Sequence, residues 1–328
     1  MANVIKDAPI KDAKRSHWVY KAPKRMRPYL QLSRLDRPVG YWLLTLPGWI
    51  GLAFASLSHG LATDDLKWAI LILIGAIAMR GAGCTYNDIV DQDLDAQVDR
   101  TALRPLPAGT VTTKQAWIWL LTQCGIGLIV LLCLPRLAQI ISLCSIPLVA
   151  AYPFMKRITW WPQLWLGMTF NWAVLVAYAA KTGTVSAPLF ILYLGLIFWT
   201  VGYDTIYACQ DIEDDAIIGV KSTARRFGNN VKAGVFFSYL ISFICIFVST
   251  GFQSSLLAST QNIFVITMYP LAPPMRGIAA ILAIPFLIHL MWQVSKLKEK
   301  QDGGHLKLFK SNLWSGLILI VPYLLFPR

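Results

Sequence analysis

Long apolar runs separated by short polar segments dominate the hydrophobic pattern of this chain. A run of about 20 apolar residues is long enough to cross the hydrocarbon core of a bilayer as an α-helix. The segment 252–275 interrupts the pattern, because its apolar centre is too short to cross and prolines follow it, so we predict an interfacial loop there. The rest of the pattern predicts nine transmembrane helices, at 39–58, 66–86, 115–134, 137–155, 163–181, 187–209, 233–251, 277–294 and 312–327.

Composition agrees with a polytopic membrane protein. Of the 328 residues, 56% are hydrophobic and only 14% are charged, whereas about 25% of the residues of a soluble domain are charged. We therefore predict an all-α fold and exclude a soluble globular protein. The predicted organisation is a basic cytoplasmic segment, 1–38, followed by one domain of nine transmembrane helices, 39–328.

Basic residues are unequally distributed between the two sides of the predicted membrane protein. The chain has 30 Lys and Arg against 17 Asp and Glu, which gives a net charge of +13. With the N-terminus inside, 25 of the 30 basic residues fall in or next to inner loops, and 5 fall outside. Loops rich in Lys and Arg stay on the cytoplasmic side, so this bias sets the predicted topology. It also explains the basic excess without nucleic acid, which we do not expect as a partner.

The N-terminal segment bears on the membrane in which the protein resides. The first 37 residues hold ten Lys or Arg and no apolar run, which argues against a cleavable secretory signal. Mitochondrial transit peptides are usually rich in Arg and Ser and poor in acids, whereas this segment is rich in Lys and contains Asp7 and Asp12. We therefore expect a bacterial inner membrane, with the mitochondrial inner membrane as the alternative, and a tail that lies on anionic lipid.

Acidic residues concentrate in two short windows on the predicted inner side, at the ends of the second and sixth predicted helices. Ten of the 17 acids lie in the first acidic window (88–99) or the second acidic window (204–215). Residues spaced i, i+3, i+7 or i, i+7, i+11 share one face of a continuing helix. The aligned residues are Asp88, Asp91 and Asp95 in the first window and Asp204, Asp211 and Asp215 in the second.

Aligned carboxylates at a membrane boundary repel one another and need a positive counter-charge. A divalent cation suits this role, since Mg²⁺ binds one or two carboxylates and completes its coordination with water and phosphate oxygens. Basic residues accompany both windows, so a diphosphate bridged by Mg²⁺ would be surrounded by positive charge. The candidate diphosphate-binding residues are Arg100, Arg104, Lys156, Arg157 and Lys221.

Both windows resemble a known family, the intramembrane aromatic prenyltransferases of the UbiA superfamily. Residues 87–109, NDIVDQDLDAQVDRTALRPLPAG, resemble the first Asp-rich motif of that family. Residues 203–228, YDTIYACQDIEDDAIIGVKSTARRFG, resemble the second. The branch that acts on 4-hydroxybenzoate further resembles RLDRPVGYWLLTLP at 34–47 and YPFMKRITWWPQLWLG at 152–167. The resemblance covers about residues 30–250 and the final helix.

The resemblance implies nine helices around a central cavity, with both motifs at its cytoplasmic or matrix mouth. It implies Mg²⁺ as cofactor and transfer of a polyprenyl group from polyprenyl diphosphate to the ring of 4-hydroxybenzoate, in ubiquinone biosynthesis. The implied metal ligands are Asn87, Asp88, Asp91, Asp95, Asp211 and Asp215. The implied catalytic carboxylates are Asp88, Asp91, Asp204 and Asp211, of which Asp91 or Asp204 could take the ring proton.

The implied acceptor carries a carboxylate, so a cationic side chain should hold it. The candidates are Arg34, Arg37 and Arg80, and Arg80 lies two helical turns before Asn87 on the same predicted face. The carbocation formed from an allylic diphosphate also needs a dry, electron-rich wall. Aromatic candidates for that wall are Tyr86, Tyr152, Trp172, Tyr178, Tyr203 and Tyr207.

Several alternatives remain open at this level. Within the resembled superfamily, homogentisate, a naphthoate or haem could replace 4-hydroxybenzoate as the acceptor. A cation transporter would also use membrane carboxylates, but near the bilayer midplane, whereas both windows lie at one boundary. A phosphatidyltransferase for CDP-alcohols would need an Asp motif with interleaved Gly and Ala, which this sequence lacks.

Overall fold

The chain folds into α-helices. The computed structural model describes residues 16–96, 101–217, 219–260, 283–298 and 303–325, together with 281 and 327. Throughout these residues the regular structure is helical, with no strand, which confirms the predicted all-α class. Helices are expected in segments that cross lipid, because a helix satisfies its backbone N–H and C=O groups internally.

Fourteen α-helices can be traced through the described residues, and short 3-10 turns accompany them at Trp18–Lys21 and Gly228–Asn230. In chain order, the helices are α1 (Arg27–Leu32), α2 (Val39–His59), α3 (Asp64–Val90), α4 (Gln92–Asp95), α5 (Thr113–Leu132), α6 (Arg136–Cys144), α7 (Ile146–Ile158), α8 (Pro162–Thr182), α9 (Ala187–Ala208), α10 (Ile212–Ile217), α11 (Thr223–Phe227), α12 (Val231–Thr260), α13 (Ile284–Lys296) and α14 (Gly304–Leu325).

Seven stretches within the described residues are long and apolar enough to cross a membrane. They are α2, α3, α5, α6 with α7, α9, α11 with most of α12, and α14. Helix α8 has 21 residues but includes the polar residues Gln163, Asn171 and Lys181. Helix α13 has 13 residues, and the predicted span 277–294 begins outside the described residues. A multi-pass membrane fold is therefore confirmed, while the count of nine spans stays a prediction.

The predicted span 137–155 is two helices rather than one. Helix α6 ends at Cys144 and α7 begins at Ile146, with Ser145 between them. Pro147 explains the break, because proline lacks the N–H that would bond to the carbonyl of Leu143 and its ring clashes with that carbonyl.

The predicted loop 252–275 begins later than expected. Helix α12 continues through Thr260, so the assignment of 252–260 to a loop was wrong. These residues contain neither Pro nor Gly, and nothing local therefore stops the helix that precedes them. The rest of the predicted loop, 261–275, lies outside the described residues.

The chain divides into two compact units. The first consists of Met1–Trp42 and Leu73–Cys133, and the second of Leu43–Ile72 and Leu134–Arg328. The first acidic window belongs to the first unit and the second window to the second unit. The predicted division at residue 38 stays a prediction.

A buried cluster in the first unit holds α1 beside the start of α5. Its members are Leu32, Leu106, Val111 and Ala116. Next to it, the Ser33 hydroxyl donates to Oε1 of Gln123 at 2.9 Å and accepts from Nε1 of Trp119 at 2.8 Å. Helix α5 begins with a capping box formed by Thr112 and Gln115. These contacts fix the chain just before Arg34 and Arg37.

Small residues allow the helices of the second unit to approach closely. A Cβ added at Gly51 in α2 would lie 2.6 Å from the carbonyl oxygen of Val174 in α8. A Cβ added at Gly167 in α8 would lie 2.9 Å from the carbonyl oxygen of Ile197 in α9. These neighbours are backbone atoms of other helices, so they cannot move aside as a side chain could. Close backbone approach at small residues is typical of helix packing in membranes.

We expect Gly51→Ala to destabilise the protein by about 1–3 kcal/mol, the usual range for overpacking in a close-packed interior. The measurement is the midpoint of thermal unfolding in detergent micelles, which should fall. Gly251→Ala is the matched control, because a Cβ at Gly251 in α12 meets nothing within 4 Å. Equal midpoints for the two variants would contradict the assigned packing role of Gly51.

Candidate active site

The first acidic window lies where α3 passes into α4. Asp88 belongs to the last turn of α3, Asp91 forms the turn between the helices, and Asp95 ends α4. The N–H of Asp91 donates to the carbonyl of Asn87 at 2.9 Å, and the N–H of Asp95 donates to the carbonyl of Asp91 at 2.8 Å. These bonds join residues four positions apart across a turn at which the backbone of Asp91 is not helical, so a shared face of the three aspartates stays a prediction.

Two arginines form ion pairs with Asp88 and Asp95 of this window. Asp88 is fully buried, and its Oδ1 accepts hydrogen bonds from Nη2 of Arg34 at 2.5 Å and from Nη1 of Arg104 at 3.3 Å. Nη1 of Arg104 also donates to Oδ2 of Asp95 at 2.6 Å. We call this series Arg34–Asp88–Arg104–Asp95 the arginine–carboxylate chain. Buried charges persist in proteins when they are paired and hydrogen-bonded in this way.

Arg34 adopts an unusual backbone conformation. Its φ of 55° lies in the left-handed region, and no other non-glycine residue in the described part of the chain has a positive φ. Its Nη1 also donates to the carbonyl of Gln31 at 3.2 Å. Burial opposes the charge of the guanidinium, but the attraction of Asp88 and Asp36, together with the hydrogen bond to Asp88, raises the pKa of Arg34. Strained backbone of this kind persists where the surroundings determine it, often at functional sites.

The other two candidate acceptor anchors lie elsewhere in the first unit. Nε of Arg37 is 3.5 Å from Oδ2 of Asp36, a buried carboxylate that also accepts from the Tyr20 hydroxyl at 3.4 Å. Burial, helped by the charge of Asp36, raises the pKa of Tyr20 to about 12, so its hydroxyl remains a donor. The guanidinium of Arg80 lies against Gly40, in the first turn of α2.

The second acidic window lies where α9 ends. Asp204 is in α9, which stops at Ala208, and the N–H of Asp211 donates to the carbonyl of Ala208 at 3.2 Å in a tighter i→i+3 bond. The expectation of one continuous helical face from Asp204 to Asp215 is therefore wrong. Aspartate favours helix starts over helix interiors, which explains a new helix directly after Asp211. The N–H of Asp215 then donates to the carbonyl of Asp211 at 2.7 Å.

Backbone contacts bring two of the predicted diphosphate-binding lysines together in the second unit. The N–H of Lys221 donates to the carbonyl of Lys156 at 2.9 Å. The ammonium of Lys221 donates to the carbonyl of Ile158, the last residue of α7, at 3.1 Å, where a cation is favoured by the helix dipole. Arg157 is exposed, and Arg100 lies outside the described residues.

Arg225 is bonded to the second acidic window. Its Nη1 donates to the carbonyls of Asp215, at 3.1 Å, and Val220. Its guanidinium also lies over the ring of Trp160, 5.4 Å from the ring centroid. An arginine thus contacts one aspartate of each window, through the side chain of Asp95 in the first and through the backbone of Asp215 in the second.

Two of the aromatic candidates form a cluster on either side of Asp204 in α9. Tyr203 is buried between Trp199 and Phe309, with centroid separations of 5.4 and 5.8 Å. Tyr207 lies 4.6 Å from Phe309. Three other candidates have different ring partners: Tyr86 packs on Trp117, Trp172 on Tyr193, and Tyr178 on Phe54.

Comparison with known proteins assigns a family to this arrangement. Residues 44–316 match the model of the UbiA prenyltransferase family. The chain belongs to that family. It is 39% identical over 309 residues to 4-hydroxybenzoate polyprenyltransferase, mitochondrial, of Bos taurus, covering 92% of this chain and 76% of the relative.

Two further comparisons define the extent of the likeness. The Homo sapiens protein of the same name is 48% identical over 217 residues, 64% of this chain. The matched region spans only 57% of that human relative, less than two thirds of its length. A solved structure of a UbiA homolog from Archaeoglobus fulgidus bound to GPP and Mg²⁺ has a TM-score of 0.62 at 17% identity, covering 91% of this chain and 99% of the other. That match shows a shared UbiA fold.

The first window of this UbiA family member offers a suitable atom to a hard cation. Oδ2 of Asp88 is buried and has no hydrogen-bond partner among the described residues, while Oδ1 carries both arginines. Among all the residues that the structure describes, no three Asp, Glu, His or Cys side chains lie close enough together to hold a metal by themselves. A metal here would need further oxygen donors, and Mg²⁺ commonly takes them from water and phosphate. The residues present fit Mg²⁺ carried by a diphosphate.

Two residues, Asp36 and Gly40, were not identified from the sequence, and the contact of Arg225 with the second window was not predicted. Asp36 gave a signal that could have been used, because no other acid lies between Asp12 and Asp64, and arginines surround it. Gly40 gave none, since its contact with Arg80 joins positions 40 residues apart. Arg225 stood out only as one of several basic residues after the second window.

Asp88→Asn should destabilise the protein by roughly 3–5 kcal/mol, because removing one partner leaves buried guanidiniums without their counter-charge. The side chains of Arg34 and Arg104 are only 11% and 13% exposed, so water would compensate poorly. The free energy of unfolding can be measured by denaturant titration in detergent. Asp93→Asn, at an exposed neighbouring position, is the control and should change it by less than about 0.5 kcal/mol. Similar values for both variants would refute the role given to the arginine–carboxylate chain.

Proposed function

We propose that this chain transfers a polyprenyl group from polyprenyl diphosphate to the ring of 4-hydroxybenzoate, with Mg²⁺ as cofactor, in ubiquinone biosynthesis. The observation that carries the proposal is the shared construction of the two acidic windows. In each, an Asp that follows a transmembrane helix accepts the N–H of another Asp four residues later, and an arginine is bonded to that second Asp. Family membership and the names of the Bos taurus and Homo sapiens relatives support the substrate assignment.

The proposed reaction replaces the allylic C–O bond of the donor with a C–C bond to the acceptor ring, and both windows would hold the metal that assists it. The allylic C–O bond breaks, diphosphate leaves with the electron pair, a C–C bond forms to the ring, and the ring loses a proton. Mg²⁺, when bound, supplies positive charge to the leaving diphosphate. The proposed ligands are Asn87, Asp88, Asp91 and Asp95 in the first window, and Asp211 and Asp215 in the second.

Basic side chains complete the proposed diphosphate site. Arg104 contacts Asp88 and Asp95 and can present its remaining N–H groups to a phosphate. Lys156 and Lys221 are linked through the backbone, and Arg157 follows Lys156. Such cations lower the barrier where they stabilise the departing charge more than the bound substrate. Arg100, adjacent in sequence to the first window, keeps the same proposed role.

We assign the acceptor carboxylate to Arg80. Arg34, bonded to Asp88, and Arg37, beside Asp36, stay alternative candidates for this role. Arg80 lies on α3 seven residues before Asn87, which is about 10 Å along the helix axis. A cationic side chain that far into a membrane helix is a candidate functional residue by default. Asp204, beside the aromatic cluster, or Asp91 would take the ring proton.

The proposal includes the orientation of the protein and the membrane in which it resides. Seven apolar helices support a multi-pass protein, and the distribution of Lys and Arg supports an N-terminus on the cytoplasmic or matrix side. The names of the curated relatives, which are mitochondrial, support the mitochondrial alternative over the expected bacterial inner membrane. Fractionation of the source cells, followed by immunodetection, would distinguish the two.

The proposed function is tested by incubating the purified protein with Mg²⁺, labelled polyprenyl diphosphates and a panel of acceptors. We expect label in a prenylated 4-hydroxybenzoate, loss of transfer with a chelator, and recovery with added Mg²⁺. Transfer to homogentisate, a naphthoate or haem instead would reassign the acceptor. Absence of transfer together with cation flux in proteoliposomes would favour the transporter alternative.

Asp211→Ala should lower kcat by a factor on the order of 10²–10³, since it removes a proposed ligand of the Mg²⁺ that would stabilise the negative charge developing on the diphosphate. Steady-state turnover at saturating Mg²⁺ measures the effect. Glu213→Ala, an exposed neighbour in α10, is the control and should retain activity. Near wild-type turnover of Asp211→Ala would refute the proposed role of the second window.

Lys156→Ala and Arg157→Ala should each raise the KM for polyprenyl diphosphate roughly tenfold, because hydrogen bonds to charged groups contribute about 1.5–3 kcal/mol. The KM for the aromatic acceptor should stay the same. Lys232→Ala is a suitable control, as an exposed inner-side lysine on α12 without an assigned role. Unchanged diphosphate affinity in the first two variants would contradict the proposed contacts.

A further inference from the structure

The guanidinium of Arg80 lies against a glycine at the start of α2. A Cβ added at Gly40 would be 2.9 Å from Nε, 3.2 Å from Nη2 and 3.4 Å from Cζ of Arg80. These are the three atoms nearest to such a Cβ, and all belong to the charged end of one side chain. The absence of a side chain at position 40 therefore leaves space that the guanidinium occupies.

Gly40 differs in this respect from the glycines that pack helices together. A Cβ added at Gly51 would meet the backbone of Val174, which cannot give way. At Gly40 the neighbour is the far end of a flexible side chain, which can move aside without disturbing the helices. An alanine at position 40 would thus leave the fold intact and displace the guanidinium by several tenths of an ångström. Alanine is also the better helix former, so the helix itself does not require this glycine.

The displaced group is the one to which the proposed function assigns the acceptor carboxylate. Arginine binds carboxylates through two parallel N–H···O bonds, an arrangement that depends closely on position and orientation. A small misplacement of a binding group can reduce the productive alignment of a substrate well beyond the size of the shift.

We propose that Gly40 is a positioning residue for substrate specificity: it leaves the space in which the guanidinium of Arg80 aligns with the carboxylate of the aromatic acceptor. The proposal rests on the proposed function. Gly40 acts through Arg80 and touches neither substrate. By placing the guanidinium of Arg80, Gly40 favours acceptors that carry a carboxylate over acceptors of the same shape without one.

The test compares Gly40→Ala with the wild-type full-length protein. We expect the KM for 4-hydroxybenzoate to rise about tenfold, while the KM for polyprenyl diphosphate stays within twofold. The preference for 4-hydroxybenzoate over its uncharged amide, 4-hydroxybenzamide, should fall by a similar factor. A merely structural defect would lower turnover with both acceptors and leave this ratio unchanged, and that result would overturn the proposal.

Arg80→Ala and the double variant complete a mutant cycle. If Gly40 acts through Arg80, Gly40→Ala should have no further effect on the KM for 4-hydroxybenzoate once Arg80 is alanine. Additive effects would overturn the proposal. Gly40→Ser adds the same Cβ and should reproduce the change in acceptor preference, which provides a second variant if Gly40→Ala is obtained in low yield.

Gly125→Ala is the control for a glycine-to-alanine change in a helix of the same unit, because a Cβ there meets nothing within 4 Å. It should leave both KM values unchanged. Failure of the proposed function would be recognised separately, because the wild-type protein would then transfer no prenyl group to 4-hydroxybenzoate. A normal wild-type protein, an impaired Arg80→Ala variant and an unaffected Gly40→Ala variant would overturn the role of Gly40 alone.

Discussion

A carboxylate buried at the end of a membrane helix persists only with a counter-charge, and Asp88 meets this requirement with two arginines. Arg34 comes from the segment before α2, and Arg104 from the segment before α5. Arg104 extends the neutralisation to Asp95. The left-handed backbone at Arg34 fits this requirement, because the ion pair and the packing around Ser33 together hold it. The described part of the basic N-terminal segment is thus a structural component of the first acidic window.

The backbone follows the same course in the two acidic windows. A transmembrane helix ends, an aspartate accepts the N–H of a second aspartate one turn later, and a short helix begins. An arginine is bonded to an aspartate of each short helix.

Glycine serves two separate purposes in this protein. At Gly51 and Gly167 it lets the backbones of neighbouring helices approach, which is how membrane helices gain contact when lipid is as apolar as their side chains. At Gly40 the neighbour is a guanidinium, so the missing side chain accommodates a charge. The residue type is the same in both cases. A glycine that faces backbone contributes to the stability of the fold, whereas the glycine that faces the guanidinium of Arg80 contributes, in our proposal, to acceptor specificity.

Much of the fold follows from local pattern. Apolar runs predict helices because each helix closes its hydrogen bonds within four residues and lipid offers no other partners. The same locality made the two Asp-rich windows visible as candidate sites. Some differences from the predicted helices also had local causes, such as Pro147 between α6 and α7. The end of α12 was predicted too early, because a loss of hydrophobicity was interpreted as the end of the helix.

The partners of the charged residues could not be derived in this way. Arg34 meets Asp88 across 54 positions, and Arg80 meets Gly40 across 40, because helices distant in sequence pack side by side. Hydrophobic periodicity shows that such helices exist and which faces are apolar, but a charged side chain is long enough to reach several neighbours. The sequence by itself determined the class of fold, and it predicted the inner position of the acids and the chemistry that they suit. Only tertiary packing decided which arginine neutralises which carboxylate, because that choice depends on distances between segments that no local hydrogen bond connects.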